Sequence, residues 1–216
     1  MGLLARIQTA KLVLHCSGKI SAMKRMQVLV LGLALGASVL IGAAFSAFAQ
    51  VPAGMELGPK VGARAPAFSV ISSSNETKSF ETLKGRQGLV LVFVRSADWC
   101  PFCKVQLQDL NSIAKDLDAL GWPMVAVSYD PRETLERFST ANKLDYRLAS
   151  DPGSKTIDAF GIRNESVRGS ARFNGIPHPL IIFIGADGTV KAKLYEQRYQ
   201  DRPPSGLVLE TAKGLG

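Results

Sequence analysis

Leu89-Val90-Leu91-Val92-Phe93-Val94-Arg95-Ser96-Ala97-Asp98-Trp99-Cys100-Pro101-Phe102-Cys103 decides how this chain is read. Six consecutive apolar residues, rich in Val and Leu, predict a central strand buried on both faces. A short polar connector follows. Pro101 then suits the first position of a helix, where its missing N–H costs nothing. Cys103, Leu107, Leu110, Ala114 and Leu117 recur every three or four residues, so Pro101 to Leu120 reads as one amphipathic helix ended by Gly121 and Pro123. A C-x-x-C at a strand-to-helix junction suits dithiol redox chemistry, with half of a metal site or an inert bridge as alternatives.

Working outward, Met124 to Ser128 predicts a second central strand. Asp130-Pro131-Arg132-Glu133 reads as a helix start, with Asp130 as N-cap and Glu133 closing a capping box. Leu135, Phe138 and Ser139 would form its inner face. Asp151-Pro152-Gly153 marks a turn before a short helix through Phe160. Leu180 to Ile184 is again wholly apolar, Ala186-Asp187-Gly188 is a hairpin turn, and Thr189 to Tyr195 returns as a strand. Ala67 to Ile71 and Thr77 to Phe80 are short strand candidates, and Pro203 to Lys213 a closing helix. This order implies an α/β fold: a mixed sheet with helices on both faces and an antiparallel hairpin at one edge.

The N-terminal quarter reads differently. No acid precedes Glu56; Lys24 and Arg25 form a basic flank, Val28 to Phe45 is almost wholly apolar, and Ala47-Phe48-Ala49 supplies a small-x-small site. This is the pattern of a secretory signal peptide cut after Ala49. The alternative is a retained membrane anchor, and the length before Lys24 fits an overextended start with Met23 or Met26 as initiator. The expected organisation is therefore 1–49 signal, 50–66 a Pro- and Gly-rich leader, and 67–213 one domain.

Removing residues 1–49 changes the arithmetic. Five of the 26 basic residues and none of the 18 acids lie there, so a formal +8 becomes +3 and gives no case for nucleic acid. Of three cysteines only Cys100 and Cys103 remain, and His178 is the last histidine. The mature chain thus spends all its cysteine on one motif, unlike a disulfide-stapled scaffold. No Gly-rich loop opens a helix after a strand, so no nucleotide cofactor is expected.

Four segments carry a family resemblance: Arg95 to Lys104; Val125-Ala126-Val127-Ser128-Tyr129-Asp130-Pro131-Arg132-Glu133; Leu148 to Pro152 with Ala159-Phe160-Gly161-Ile162; and Gly175-Ile176-Pro177-His178-Pro179 before a strand ending at Asp187-Gly188. Over roughly residues 60 to 195 the chain resembles the thioredoxin-like superfamily, and within it the AhpC/TSA, redoxin or peroxiredoxin-related family. The resemblance implies a thioredoxin-like three-layer fold. It also exposes departures. With Cys103 matched to the peroxidatic cysteine, Cys100 stands where Thr or Ser is expected and Ser96 where Pro is expected. Pro-His-Pro stands near the place of an active-site Arg.

Cys100, just before the first helical turn, is the expected nucleophile, because free N–H groups and the positive helix end favour a thiolate. Cys103 is the expected resolving thiol and the more buried of the two. In the leading reading Cys100 attacks a protein or small-molecule disulfide and Cys103 releases the product. The reductive direction is favoured, with electrons from a membrane relay or another thiol donor. The resemblance further implies a cis-proline at Pro179, with Pro177 as alternative. Trp99 would cover the dithiol or act as an apolar plug beside the sheet, and His178 would tune the dithiol or be a loop side chain near the site. Arg95 and Asp98 would set local charge or simply be solvated, and Asp130 and Glu133 are assigned no chemistry. The competing readings are a thiol-dependent peroxidase acting on peroxide, a copper or zinc chaperone using both thiols with His178, and a structural disulfide. No cofactor and no resident metal are expected. The site of action would be the bacterial periplasm, free or membrane-anchored, with membrane contact only through the N-terminal segment.

Overall fold

The computed structural model describes Gly54 and residues 56–216. The signal-peptide or anchor reading of 1–49 lies outside the described residues. Within the domain, seven strands form one sheet: β1 (Ser69–Ile71), β2 (Thr77–Ser79), β3 (Gly88–Phe93), β4 (Met124–Ser128), β5 (Arg147–Ser150), β6 (Leu180–Gly185) and β7 (Val190–Leu194). Their order is β2-β1-β5-β4-β3-β6-β7. β3 runs parallel to β4, and β4 to β5, while β6 and β7 are antiparallel additions beside β3. The helices are α1 (Phe80–Leu83), α2 (Pro101–Asn111), α3 (Ala114–Ala119), α4 (Arg132–Asn142), α5 (Lys155–Ala159) and α6 (Ser205–Gly214).

The apolar run of β3 feeds two cores, because successive strand side chains point to opposite faces. Val90, Val92 and Val94 pack with Cys103, Leu107 and Leu110 of α2, Leu117 of α3, Leu135 of α4 and Val208 of α6. Leu89, Leu91 and Phe93 pack on the other face with Ile157, Phe160 and Ile162. This is the thioredoxin-like three-layer arrangement. Leu107 and Leu110 are fully buried, and each contributes about 2 kcal/mol by burial.

Two expectations are corrected. The helix expected over Pro101 to Leu120 is two helices. Ser112 N–H and Oγ both turn back to the Asp109 carbonyl, at 3.1 and 2.7 Å, and Ile113 N–H bonds Leu110, so the chain tightens there and breaks the α ladder. Asp130 does not cap α4; Pro131 occupies the N-cap position, and Glu133 ion-pairs with Arg132 rather than closing a capping box. The leader is irregular, and it packs on the domain. Leu57 is buried, and the Gly62 and Ala65 N–H groups bond the Val190 and Gly188 carbonyls, so the leader runs along the β6–β7 hairpin.

Candidate active site

β3 delivers the chain into the connector Val94–Trp99, and α2 begins at Pro101 with Cys100 as its N-cap. Cys100 and Cys103 are joined as a disulfide, their Cα atoms 5.3 Å apart. The Cys103 N–H donates to Cys100 Sγ at 3.3 Å. Cys100 therefore stands where a helix N-terminus stabilises negative sulfur. Both cysteines are buried, Cys100 at 1% and Cys103 at 0% exposure, so the difference expected between them is slight, because the connector and the α2 face enclose the pair together.

Asp130 holds the connector. Its carboxylate accepts from Ser96 Oγ at 2.9 Å and from the Ala97 N–H at 2.7 Å, while Ser96 Oγ accepts the Asp98 and Trp99 N–H groups. Burial pushes the Asp130 carboxyl above its ordinary range, and these hydrogen bonds oppose that push. The residue first read as a cap instead fixes the approach to the thiols.

Aromatic rings surround this turn. Trp99 is half-buried against the core, donates Nε1–H to Tyr129 Oη at 3.0 Å, and lies 4.8 Å from the Phe173 ring. Tyr129 Oη donates on to the Arg172 carbonyl at 2.9 Å. Phe102, on the first turn of α2, is partly exposed and meets Tyr199 edge-on.

Two arginines complete the setting. Arg95 is 9% exposed, and its guanidinium sits over the rings of Tyr199, at 4.2 Å, and Trp99, at 5.2 Å. Its Nε is buried without a hydrogen-bond partner among the described residues. Arg202 arrives from the segment between β7 and α6. Its Nη2 is 3.5 Å from Cys103 Sγ, its Nε donates to Gln106 Oε1 at 2.8 Å, and its Nη1 donates to the Tyr199 and Asp201 carbonyls. Burial, and then the charge of Arg95, lower the Arg202 pKa to about 10, so it stays cationic at neutral pH.

His178 is buried, with its N–H on the Ile162 carbonyl. Burial first, then Arg95, hold its imidazole below the ordinary pKa and favour the neutral form. The cis-proline expectation is corrected: every described peptide bond is trans, those before Pro179 and Pro177 included. Pro177 bridges Arg163, and flanking Ile176 and His178 pair with Asn164 and Ile162, so the segment runs extended into β6. Among the described residues, no three His, Cys, Asp or Glu side chains converge to hold a metal. A cleft of about 340 Å³ between β1, β5 and α4 contains neither cysteine.

The structure joins Cys100 to Cys103 and packs Trp99 on the same core, and it buries Arg95, so of the two expectations for that residue the solvated one does not hold. Sequence reasoning missed Tyr199 and Arg202, which no motif marks, and Asp130, whose segment was singled out for another reason.

Comparison with known proteins agrees with this geometry. Residues 61–193 match the AhpC/TSA family model. The chain is 29% identical over 132 residues to peroxiredoxin Bcp of Escherichia coli, covering 61% of this chain and 83% of that protein. It is 27% identical over 130 residues to a putative peroxiredoxin of Haemophilus influenzae, covering 60% and 82%. Among solved structures it is similar to peroxidoxin BcpB of Mycobacterium tuberculosis, with TM-score 0.61, 19% identity and coverage of 73% and 98%. It is also similar to a putative protein disulfide isomerase of Bacteroides thetaiotaomicron, with TM-score 0.55, 19% identity and coverage of 74% and 94%. With a thioredoxin-like sheet, a redox-capable cysteine pair at the head of α2 and a family match over most of the domain, the chain is a thiol-based redox enzyme belonging to the AhpC/TSA family.

Proposed function

We propose that this enzyme is a thiol-dependent peroxidase in which Cys103 is oxidised and Cys100 resolves it. The observation that carries the reading is the Arg202 guanidinium on Cys103 Sγ. A cation at that distance favours the thiolate, and the thiolate is the nucleophile. In the proposed cycle the Cys103 thiolate attacks one peroxide oxygen. The O–O bond breaks, the sulfur becomes sulfenic acid, and the other oxygen leaves and takes a proton as water or alcohol. Cys100 then attacks that sulfur, expels water and closes the observed disulfide. Two electrons from an external thiol donor reopen it. The peroxiredoxin relatives support this choice over disulfide exchange.

Exchange with a protein disulfide is the second reading. It is favoured by Cys100 at the helix N-cap, in the place where the family resemblance expects Thr or Ser. There Cys100 is the attacking thiolate and Cys103 the releasing one. Reduced protein mixed with hydrogen peroxide in stopped flow, followed by Trp fluorescence, separates the two. The peroxidase reading expects oxidation far faster than that of free cysteine, and a sulfenic acid trapped on Cys103 in Cys100→Ser. A rate no greater than that of a free thiol overturns it. Copper or zinc carriage and a purely structural bridge lack comparable support.

We place the enzyme outside the inner membrane, exported to the periplasm. The support is the Lys24-Arg25 flank, the apolar Val28 to Phe45 stretch and Ala47-Phe48-Ala49. A mature N-terminus at Gln50 in a periplasmic fraction is the expected result; retention of the full chain in membranes would favour an anchored form facing the same compartment.

A further inference from the structure

The Cys100–Cys103 disulfide carries no charge, yet the half-buried Arg202 guanidinium lies on Cys103 Sγ and the buried Arg95 guanidinium lies over Trp99, the residue before Cys100. Arg95 is enclosed by the Tyr199 and Trp99 rings, with its Nε unpartnered. Arg202 lies on Cys103 Sγ and is linked to the same tyrosine through the Tyr199 carbonyl. Among the described residues, neither forms an ion pair with a carboxylate. Asp130 is committed to Ser96 and Ala97. Asp201 favours the Arg202 charge from a distance, but its ion-pair partner is Arg198, at 3.5 Å. The other ionisable neighbours of Arg95 are Tyr199, which shares a side-chain hydrogen bond with it, Tyr129, and His178, whose pKa burial and then Arg95 lower. Buried cations without anions are costly, and a guanidinium is shaped to receive a carboxylate.

We propose that Arg95 and Arg202 form the docking point for the carboxylate of a small thiol, and that a carboxylate-bearing thiol of low molecular weight is the reductant of this disulfide. This rests on the thiol-redox reading of the site. It names the class of electron donor that the fold alone leaves open. The charge balance explains why the oxidised enzyme is the receptive state. In the reduced enzyme a Cys103 thiolate would lie beside Arg202, whereas in the disulfide no carboxylate among the described residues pairs with either guanidinium.

The chemistry closes in two exchanges. The thiolate of the first donor attacks Cys100 Sγ. The Cys100–Cys103 bond breaks, its electron pair leaves on Cys103 as a thiolate beside Arg202, and a mixed disulfide remains on Cys100. A second donor thiolate attacks the donor sulfur of that mixed disulfide. The donor leaves as its own symmetrical disulfide, and Cys100 takes the electron pair and a proton. Two thiols are oxidised and one disulfide is reduced.

The test compares 3-mercaptopropionate with its neutral amide, 3-mercaptopropionamide, as reductants of the oxidised full-domain protein, in stopped flow. Rates are expressed per thiolate, which removes the difference in thiol acidity apart from a modest nucleophilicity correction. The acid is expected to react about tenfold faster than the amide in low salt, as a charge-assisted contact gives. The advantage should shrink to about twofold or less in Arg95→Gln and in Arg202→Gln. A near-unity ratio in the unmodified protein overturns the proposal without any variant. A high ratio that survives both substitutions places the anion elsewhere and overturns it too. If either variant fails to fold, added propionate replaces it in the unmodified protein. Competitive slowing of the acid supports the docking point, and no slowing at saturating propionate overturns it. The protein can be oxidised with diamide beforehand, so a failed peroxide reaction and a failed donor preference are read separately.

Discussion

Arg202 Nη2 stands 3.5 Å from Cys103 Sγ although 99 positions separate the two residues in the chain. The contact joins the first turn of α2 to the segment that follows β7, and it gives the two cysteines unequal surroundings. Cys100 has a backbone N–H; Cys103 has a full positive charge. If the charge activates Cys103, Arg202→Gln slows peroxide oxidation about tenfold at pH 6. The loss should diminish as pH rises and the thiol ionises unaided. A pH–rate profile with hydrogen peroxide checks this, and Arg202→Lys should recover part of the loss. A profile that does not move removes Arg202 from the reaction.

Asp130 is expected to matter more than its first reading as a helix cap would suggest. Asp130→Ala leaves the buried Ala97 N–H and the Ser96 hydroxyl without their acceptor, at a cost of about 2–3 kcal/mol. Urea unfolding of the oxidised protein measures it. Asp130→Asn, which keeps one carbonyl, should lose less than the Ala variant.

His178 predicts a stability that weakens on mild acidification. Burial and Arg95 depress its folded-state pKa below the ordinary 6.5. The unfolded chain therefore takes up the proton first as pH falls, and stability present above 6.5 is lost down through the folded-state value. His178→Gln should flatten this part of the stability curve between pH 7.5 and 5. Arg95→Gln should move the imidazole titration upward, which NMR can follow.

Gly88 opens β3 where no side chain fits. A Cβ there would come within 2.1 Å of the Ile184 carbonyl oxygen and 2.7 Å of the Trp122 ring, and its φ is +151°. Gly88→Ala is expected to destabilise the domain by at least about 3 kcal/mol. Thermal unfolding reports it directly, while the disulfide should still form in any folded fraction.

What the sequence revealed and what it concealed follow a physical pattern. The continuous apolar runs of β3 and β6 announce central strands because both faces are buried, and Pro101 announces the start of α2 because backbone chemistry is local. The break at Ser112 was hidden because the apolar repeat continues through it from Leu110 to Ala114 and Leu117. Asp130-Pro131 looks like a cap from sequence alone. Only the fold shows that the Asp130 carboxylate reaches back to a connector more than thirty residues earlier. Arg202 and Tyr199 were illegible for the same reason. Their flanks carry no periodicity and no motif, and their importance arises from where β7 ends.

The stretch that matches the family model stops at residue 193, and the Arg202 guanidinium comes after it. Thiols and cation are thus encoded in separable parts of the chain. The tail also packs Val208 and Ala212 into the core shared by β3 and α2, so exchanging or shortening it alters both the charge beside the cysteines and the packing behind them. Cutting the protein at the edge of the family match would yield a dithiol stripped of its counter-charge, and a bulky C-terminal fusion could displace it just as well. The ordinary practices of trimming and tagging would then alter the chemistry being assayed.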